Sequence, residues 1–259
     1  MTGRVLVVAG SDSGGGAGIE ADIKTVTALG GYAATAITAL TVQNTLGIGR
    51  IMKVPPDFVA AAMAAVLGDI GADAIKTGML VDAATVDAVA DTLGVHAPNV
   101  PLIVDPVMVS SSGTRLLSED AIEILKRRLI AHAAIVTPNI PEAEILLGRR
   151  IDDVPKAASA LRDLGPRAVV ITGGHGDGPT VRDVVADESG VVALEAPRVE
   201  TNSTHGTGCT FASAVAAGIA QGMDIRAAVA RAHRYVQEAI RTAPGFGKGN
   251  GPLRHAIRF

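Results

Sequence analysis

The sequence predicts an α/β fold: a central, mostly parallel sheet with helices on both faces and one antiparallel hairpin toward the C-terminal end. Three observations carry that expectation. Short Val/Ile-rich runs alternate with Ala-rich stretches. Hydrophobic residues make up 48% of the chain and aromatics only 2%, so Val, Ile, Leu and Ala must fill a sizeable core. After Gly173 the alternation stops, and two strand-like runs follow one another directly. A length of 259 residues suits a single domain spanning 1–259.

The apolar runs are Val5–Ala9, Ala33–Ala39, Ala74–Lys76, Leu102–Val104, Ala134–Val136 and Ala168–Ile171. Each is short and punctuated by Gly, Pro, Asp or Thr, as strands buried on both faces of a parallel sheet are. Helices are expected between them, near 17–29, 57–68, 82–94, 118–130, 141–147 and 155–164. Thr180–Ala186 and Val191–Ala196 flank Asp187-Glu188-Ser189-Gly190, a turn signal that closes the hairpin. Two long helices follow, near 207–221 and 224–242, and the Gly-rich stretch Pro244–Pro252 is expected as loop.

Composition excludes several classes of partner. The net charge is −3, and the chain has neither a basic run nor aromatic platforms, which argues against nucleic acid. A bound polyphosphate therefore has to be held by local donors. One cysteine, Cys209, allows no intrachain disulfide and no cysteine-based zinc site. The apolar run before Gly10 is too short for a secretory core, and no stretch reaches the roughly 18–20 apolar residues of a membrane span. A cytoplasmic protein without a membrane partner is the expectation.

In open α/β sheets, ligands sit beyond the carboxyl ends of the strands. Thr204-His205-Gly206-Thr207-Gly208-Cys209-Thr210 is the sharpest signal there, because it precedes an apolar helix. Glycines let several N–H groups converge, and the helix start adds free donors and partial positive charge. The bland alternative is an ordinary Gly-rich start to a helix. Cys209 falls in that first turn, where the helix field is expected to lower a thiol pKa. His205 reads as a packed or capping histidine rather than a base.

A second loop, Gly10-Ser11-Asp12-Ser13-Gly14-Gly15-Gly16-Ala17-Gly18, follows a strand and opens a helix. Ile19 stands at the third glycine position, so the dinucleotide fingerprint fails, and no P-loop pattern occurs. Asp105-Pro106-Val107-Met108 and Thr137-Pro138-Asn139-Ile140-Pro141-Glu142 each follow a strand. Acids at such positions can hold Mg²⁺, though capping and first-turn chemistry explain them too. Gln43 and Asn44 offer amides suited to a hydrogen-bonding heterocycle or to a turn. Lys248, in Gly247-Lys248-Gly249, could deliver an ammonium to a phosphate or lie in a solvated tail.

The ordered set of these segments resembles hydroxymethylpyrimidine/phosphomethylpyrimidine kinases of the ribokinase-like superfamily, from Val5 to about Leu253. AGSDSGGGAGIEADIKT, ITALTVQNT, KTGML, VDPVM, TPNIPEAEILL, THGTGCTFASA and GKGNGP carry the likeness. It implies a three-layer α/β/α ribokinase-like fold, ATP and Mg²⁺ as cofactors, and a homodimer. The implied reaction phosphorylates a pyrimidine alcohol and then its monophosphate, in thiamin biosynthesis.

The resemblance also implies roles. Gln43 bonds the aminopyrimidine, Asp22 faces the substrate beside Gly10, and Met79 and Val107 line the ring pocket. Gly206, Thr207, Gly208 and Cys209 form an anion hole, with Cys209 as the catalytic base. Asp105 and Glu142 organise Mg²⁺. Asn139, Thr172, Gly174 and Lys248 lie on the nucleotide side. Thr172 departs from the family pattern, since many relatives carry a lysine there, and a phosphate contact is lost or replaced by a hydroxyl. The rival expectations are a pyridoxal/pyridoxine kinase, a non-catalytic pyrimidine-binding sensor and, least supported, a dinucleotide-dependent oxidoreductase.

Overall fold

Alternate residues of a strand point to opposite faces of its sheet, and the first strand uses both. In β1 (Arg4–Asp12), Leu6 and Val8 enter one core while Val5, Val7 and Ala9 enter another. The sheet is therefore the middle layer of three. The computed structural model describes residues 2–109, 113, 115–174 and 178–257.

The remaining strands are β2 (Tyr32–Asn44), β3 (Gly47–Lys53), β4 (Ala74–Thr77), β5 (Leu102–Val104), β6 (Ile135–Val136), β7 (Ala168–Ile171), β8 (Thr180–Asp187) and β9 (Gly190–Pro197). Among the described residues they form one sheet ordered β3-β2-β1-β4-β5-β6-β7-β8-β9. Neighbours from β2 through β7 run parallel, and both ends of the sheet are antiparallel.

One face is covered by α2 (Pro56–Asp69), α3 (Ala83–His96), α4 (Glu119–Arg128), α5 (Ile140–Leu147) and α6 (Val154–Arg162). Val59, Met63, Val89, Leu125, Leu146 and Leu161 anchor them there. Each such side chain contributes about 1.5–3 kcal/mol on burial. The other face holds α1 (Gly18–Ala28), α7 (Thr207–Ala220) and α8 (Ile225–Arg241), through Val26, Val215, Val229 and Tyr235 among others.

The parallel core, the C-terminal hairpin and every expected helix are present, with helix ends shifted by only one or two residues. The N-terminal edge differs from the expectation. The second strand does not stop at Ala39 but continues to Asn44, turns at Thr45-Leu46 and returns as β3. The run hid because this hairpin lies at the edge, half in solvent: Val42, Leu46 and Met52 are exposed. Its pattern is neither a continuous apolar run nor clean alternation. The extension carries Gln43 out to the edge formed by the carboxyl ends of the parallel strands.

Candidate active site

A cavity of about 410 Å³ opens along the carboxyl ends of the strands, within the range of small-molecule sites. It is a trough with three chemically distinct stretches, one apolar and amide-lined, one charged, and one toward the C-terminal hairpin.

The first stretch is built by β1, β2 and the loop after β4. Met79, Val107, Ile48 and Leu116 give it apolar walls. A Cβ at Gly10 would meet the Met79 methyl, so Gly10 leaves this side chain free to form the wall. Gln43 closes the end. Its side-chain amide lies 3.2 Å from Thr41 Oγ1 and 3.1 Å from His205 Nε2. His205 in turn meets Asp12 Oδ2 at 2.9 Å. Asp12 also accepts N–H bonds from Gly14 at 2.7 Å, Gly16 at 3.0 Å and Ala17 at 2.9 Å. Burial pushes the Asp12 pKa up, but His205 and these backbone donors outweigh it and hold the carboxyl below its usual range.

The second stretch is the start of α7. Gly206 caps the helix with φ 83°, a left-handed conformation that suits glycine. A Cβ there would also strike the Gly16 carbonyl, so the two Gly-rich loops touch backbone to backbone. No side chain caps the helix. Thr207 N–H bonds Thr204 O at 3.3 Å, while the amides of Gly208 and Cys209 belong to the first turn, whose donors have no intrahelical acceptor. The space beside Gly208 is bounded by Asp105 Oδ1, at 4.0 Å from where a Cβ would stand.

Beneath this turn lies a dry cluster of charges. Lys76, fully buried, sits 3.0 Å from both carboxylate oxygens of Asp22 and 3.6 Å from Asp105 Oδ2. Ser213 donates to Asp22 at 2.7 Å. Burial pushes Asp22 up to about 6 despite Lys76 and Ser213. Burial works against a charged Lys76, yet Asp22, Cys209 and Asp105 outweigh it and raise its pKa, so the ammonium stays charged. Burial pushes Asp105 up as well, opposed by Lys76 and by the Cys209 thiol against it. Glu142 is driven up to about 8, first by burial and then by the Asp105 charge. Its carboxylate forms a capping box with Asn139, with Glu142 N to Asn139 Oδ1 at 2.9 Å and Asn139 N to Glu142 Oε2 at 3.0 Å.

Cys209 corrects an expectation. Its pKa is pushed up to about 12 rather than lowered: burial comes first, and Asp105 and Asp22 add to it, against Lys76 and the Gly18 N–H. The helix start is present, but partial burial at the cavity wall and two nearby carboxylates outweigh it. The group is a neutral thiol.

The third stretch is lined by Asn139, Thr172, Gly174, Arg198 and the Asp183–His233 pair. Thr172 N–H donates to Pro138 O at 2.9 Å. Asp183 accepts from Gly173 N at 2.8 Å and meets His233 Nδ1 at 2.7 Å. Arg198 Nη1 donates to Gly174 O at 3.0 Å, which brings a guanidinium to the stretch where Thr172 replaces the expected lysine.

The cavity wall thus unites Gln43, Gly10, Met79, Val107, Gly206, Thr207, Gly208, Cys209, Asp105, Glu142, Asn139, Thr172 and Gly174. Two residues named from the resemblance lie elsewhere. Asp22 is fully buried behind the wall, tied to Lys76 and Ser213, and does not face the cavity. Lys248 is exposed beside the Thr45 turn, its N–H 3.2 Å from Thr45 Oγ1, at the Gln43 end rather than near Thr172.

Sequence reasoning missed Lys76, Asp12 and Arg198. Lys76 had a legible signal, since a lysine inside a strand buried on both faces has no outward direction and needs an internal partner. Asp12 had one too, as an acid opening a Gly-rich turn collects backbone donors. Arg198 sits in an irregular stretch after β9 with nothing in its spacing to mark it.

The family model described as phosphomethylpyrimidine kinase matches residues 12–254. The thiamine biosynthesis bifunctional protein ThiED of Geobacter sulfurreducens is 49% identical over 258 residues, covering 98% of this chain; the chain spans 52% of that longer protein. A hydroxymethylpyrimidine/phosphomethylpyrimidine kinase of Rhizobium meliloti is 43% identical, covering 100% of this chain and 99% of its own length. Among solved structures, the ADP complex of Bacillus subtilis pyridoxal kinase superposes with a TM-score of 0.90 at 32% identity, covering 99% of this chain and 98% of that one.

Proposed function

The chain belongs to the phosphomethylpyrimidine kinase family, and from that premise we propose how its cavity works. The enzyme is a hydroxymethylpyrimidine/phosphomethylpyrimidine kinase: it phosphorylates the hydroxymethyl pyrimidine and then its monophosphate, for thiamine biosynthesis. ATP is the donor in this reading, supported by an ATP-analogue complex among the similar kinase structures.

The observation that carries the reading is convergence. The Gly208 and Cys209 amides, the Asp105 carboxylate and the Gln43 amide all border one trough. A flat ring fits between Met79 and Val107 against Gln43, with its hydroxymethyl arm toward the start of α7. The nucleotide takes the Thr172–Gly174 end. Phosphoryl transfer has a loose transition state, so positioning and charge stabilisation dominate. The first-turn amides of α7 receive the oxygens of the migrating group.

Because Cys209 is a neutral thiol, it does not act as a standing thiolate base. The alcohol proton passes late to Sγ as the thiol proton passes to Asp105, whose pKa the thiol lowers. The pair Asp105 and Glu142 suits a divalent cation: Asp105 Oδ2 is buried without a hydrogen-bond partner, and the Asp105 charge adds to burial in raising the Glu142 pKa. Asp105 and Glu142 would hold Mg²⁺ there, and its charge would neutralise that of the phosphates.

The fold likeness to pyridoxal kinases supports a second reading, in which a hydroxymethylated pyridine enters the same ring pocket. ATP turnover with the pyrimidine alcohol, its monophosphate and pyridoxal in parallel tests both. Turnover of both pyrimidines is expected, and a strong preference for pyridoxal overturns the first reading. A homodimer is also proposed, supported by the exposed apolar side chains Val42, Leu46 and Met52 on the β2–β3 edge. A cytoplasmic location is proposed from the ATP requirement and the lone, unbridged Cys209. No helix among the described residues is long and apolar enough to cross a membrane.

A further inference from the structure

Gln43 is held by a histidine whose own partner dictates which nitrogen carries its proton. His205 Nε2 lies 2.9 Å from Asp12 Oδ2. That carboxylate oxygen already accepts N–H bonds from Gly16 and Ala17, at 3.0 and 2.9 Å. The same group, 2% exposed, is pushed up by burial, but His205 and the Gly14 and Ala17 N–H groups outweigh that and hold it ionised. An ionised carboxylate only accepts, so His205 Nε2 carries a hydrogen.

The same Nε2 lies 3.1 Å from Gln43 Nε2, and Gln43 Oε1 lies 3.2 Å from Thr41 Oγ1. Two N–H groups cannot bond each other. A half-turn of the amide, which leaves its shape unchanged, resolves the conflict. Oε1 then accepts from His205 Nε2–H, which it shares with Asp12. Nε2 then donates to Thr41 Oγ1, whose own hydrogen goes to Ser11 O at 2.9 Å. Only in this orientation does no donor in the chain Asp12–His205–Gln43–Thr41–Ser11 face another donor. The second N–H of Gln43 and the second lone pair of Oε1 remain for the cavity that Gln43 lines.

We propose that Asp12 and His205 are positioning residues that fix the orientation of the Gln43 amide, and so select a ring edge carrying an acceptor nitrogen beside an amino group. This rests on the pyrimidine-kinase reading above. An amide free to turn accepts either order of donor and acceptor. One locked from behind accepts an aminopyrimidine and opposes the 4-oxo analogue, whose ring N–H and carbonyl reverse the order. Sites built to pair a polar group discriminate strongly against a mismatched one, because a buried donor or acceptor is left without a partner.

Two measurements test it. Nitrogen-15 NMR of the intact wild-type protein labelled at histidine reads the tautomer without any substrate. A hydrogen on Nε2 of His205 is expected, and an Nδ1–H tautomer with bare Nε2 overturns the proposal. In steady-state assays, the wild-type ratio of kcat/KM for the 4-amino over the 4-oxo pyrimidine alcohol is expected at about 100. His205→Leu lowers that ratio about tenfold, mainly through KM of the amino substrate. His205→Gln, which keeps an N–H donor between Asp12 and Gln43, holds the ratio within about threefold of wild type. A purely structural role predicts equal losses on both substrates in His205→Leu, and that result overturns the proposal. If His205→Leu fails to fold, the tautomer decides. If the wild type turns over neither pyrimidine, the functional reading fails, while the tautomer still reports on the lock.

Discussion

Asp12 and Asp22 stand at the two ends of one loop and helix start, both shut away from water, and their protonation is pushed in opposite directions. Asp12 is 2% exposed and its pKa falls; Asp22 is 0% exposed and its pKa rises to about 6. The difference is the kind of partner. Asp12 collects three backbone N–H groups and a histidine, all fixed by the chain. Asp22 has one ammonium and one hydroxyl, and it shares the ammonium with Asp105. Oriented backbone dipoles keep a buried carboxylate charged where a shared countercharge does not fully succeed. One acid becomes a rigid anchor for a loop. The other becomes the floor of a reactive cluster, close to the point of changing charge.

The sharpest break of this comparison is Lys76→Met. It strands Asp22 in a dry site, and a loss of about 3–5 kcal/mol in urea unfolding is expected. The double variant Asp22→Asn/Lys76→Met is expected to be less destabilised than Lys76→Met alone. Equal losses would mean that Lys76 acts by filling space rather than by charge.

Acidity separates the two acids next. The folded-state pKa of Asp22 lies above its unfolded value of 3.8, at about 6. Between those values the folded protein binds more protons, so its stability rises as pH falls from 6 toward 4. The gain from Asp22 is on the order of 2–3 kcal/mol, and Asp22→Asn should remove it from a stability–pH curve. Asp12 has the opposite sign. Its contribution is present above 3.8 and is lost as pH falls through its lower folded value.

Asp12→Ala is expected to cost less than Lys76→Met, about 2 kcal/mol in the same unfolding assay. It removes the acceptor of the Gly14, Gly16 and Ala17 N–H groups, but Gly14 is exposed and water can replace part of the loss. Smallest in stability is Cys209→Ser, expected within about 0.5 kcal/mol of wild type. Its effect is kinetic: phosphorylation of the alcohol should slow about tenfold more than that of the monophosphate, whose acceptor oxygen has no proton to lose. Equal slowing on both substrates would remove Cys209 from the proton path.

The contrast also marks what the sequence makes legible. Parallel strands read well because burial on both faces leaves mostly apolar side chains, as in Val5–Ala9 and Ala168–Ile171. The helix start at Gly206 was readable because glycines there answer a local backbone demand. The β3 strand was not, because an edge in solvent imposes little on its side chains. Asp22 and Lys76 were misplaced or passed over for a related reason. A charge beside a Gly-rich loop looks like a ligand contact, and only the third dimension reveals that Lys76 and Ser213 satisfy Asp22 from within. The Cys209 thiol fails similarly, since its place in a helix is local information while the carboxylates that raise its pKa arrive from β5 and α1.

The backbone contact between Gly16 and Gly206 has a consequence for how activity appears. It sits beside the Asp12–His205 bond, which joins positions 193 residues apart. Nearly the whole chain must be in place before those two loops can meet, and closures of such span come late in folding. The candidate active-site trough is thus among the last features a refolding molecule completes. Recovered turnover should lag behind recovered helix content, and a chain clipped within either loop should keep its helices yet lose its chemistry.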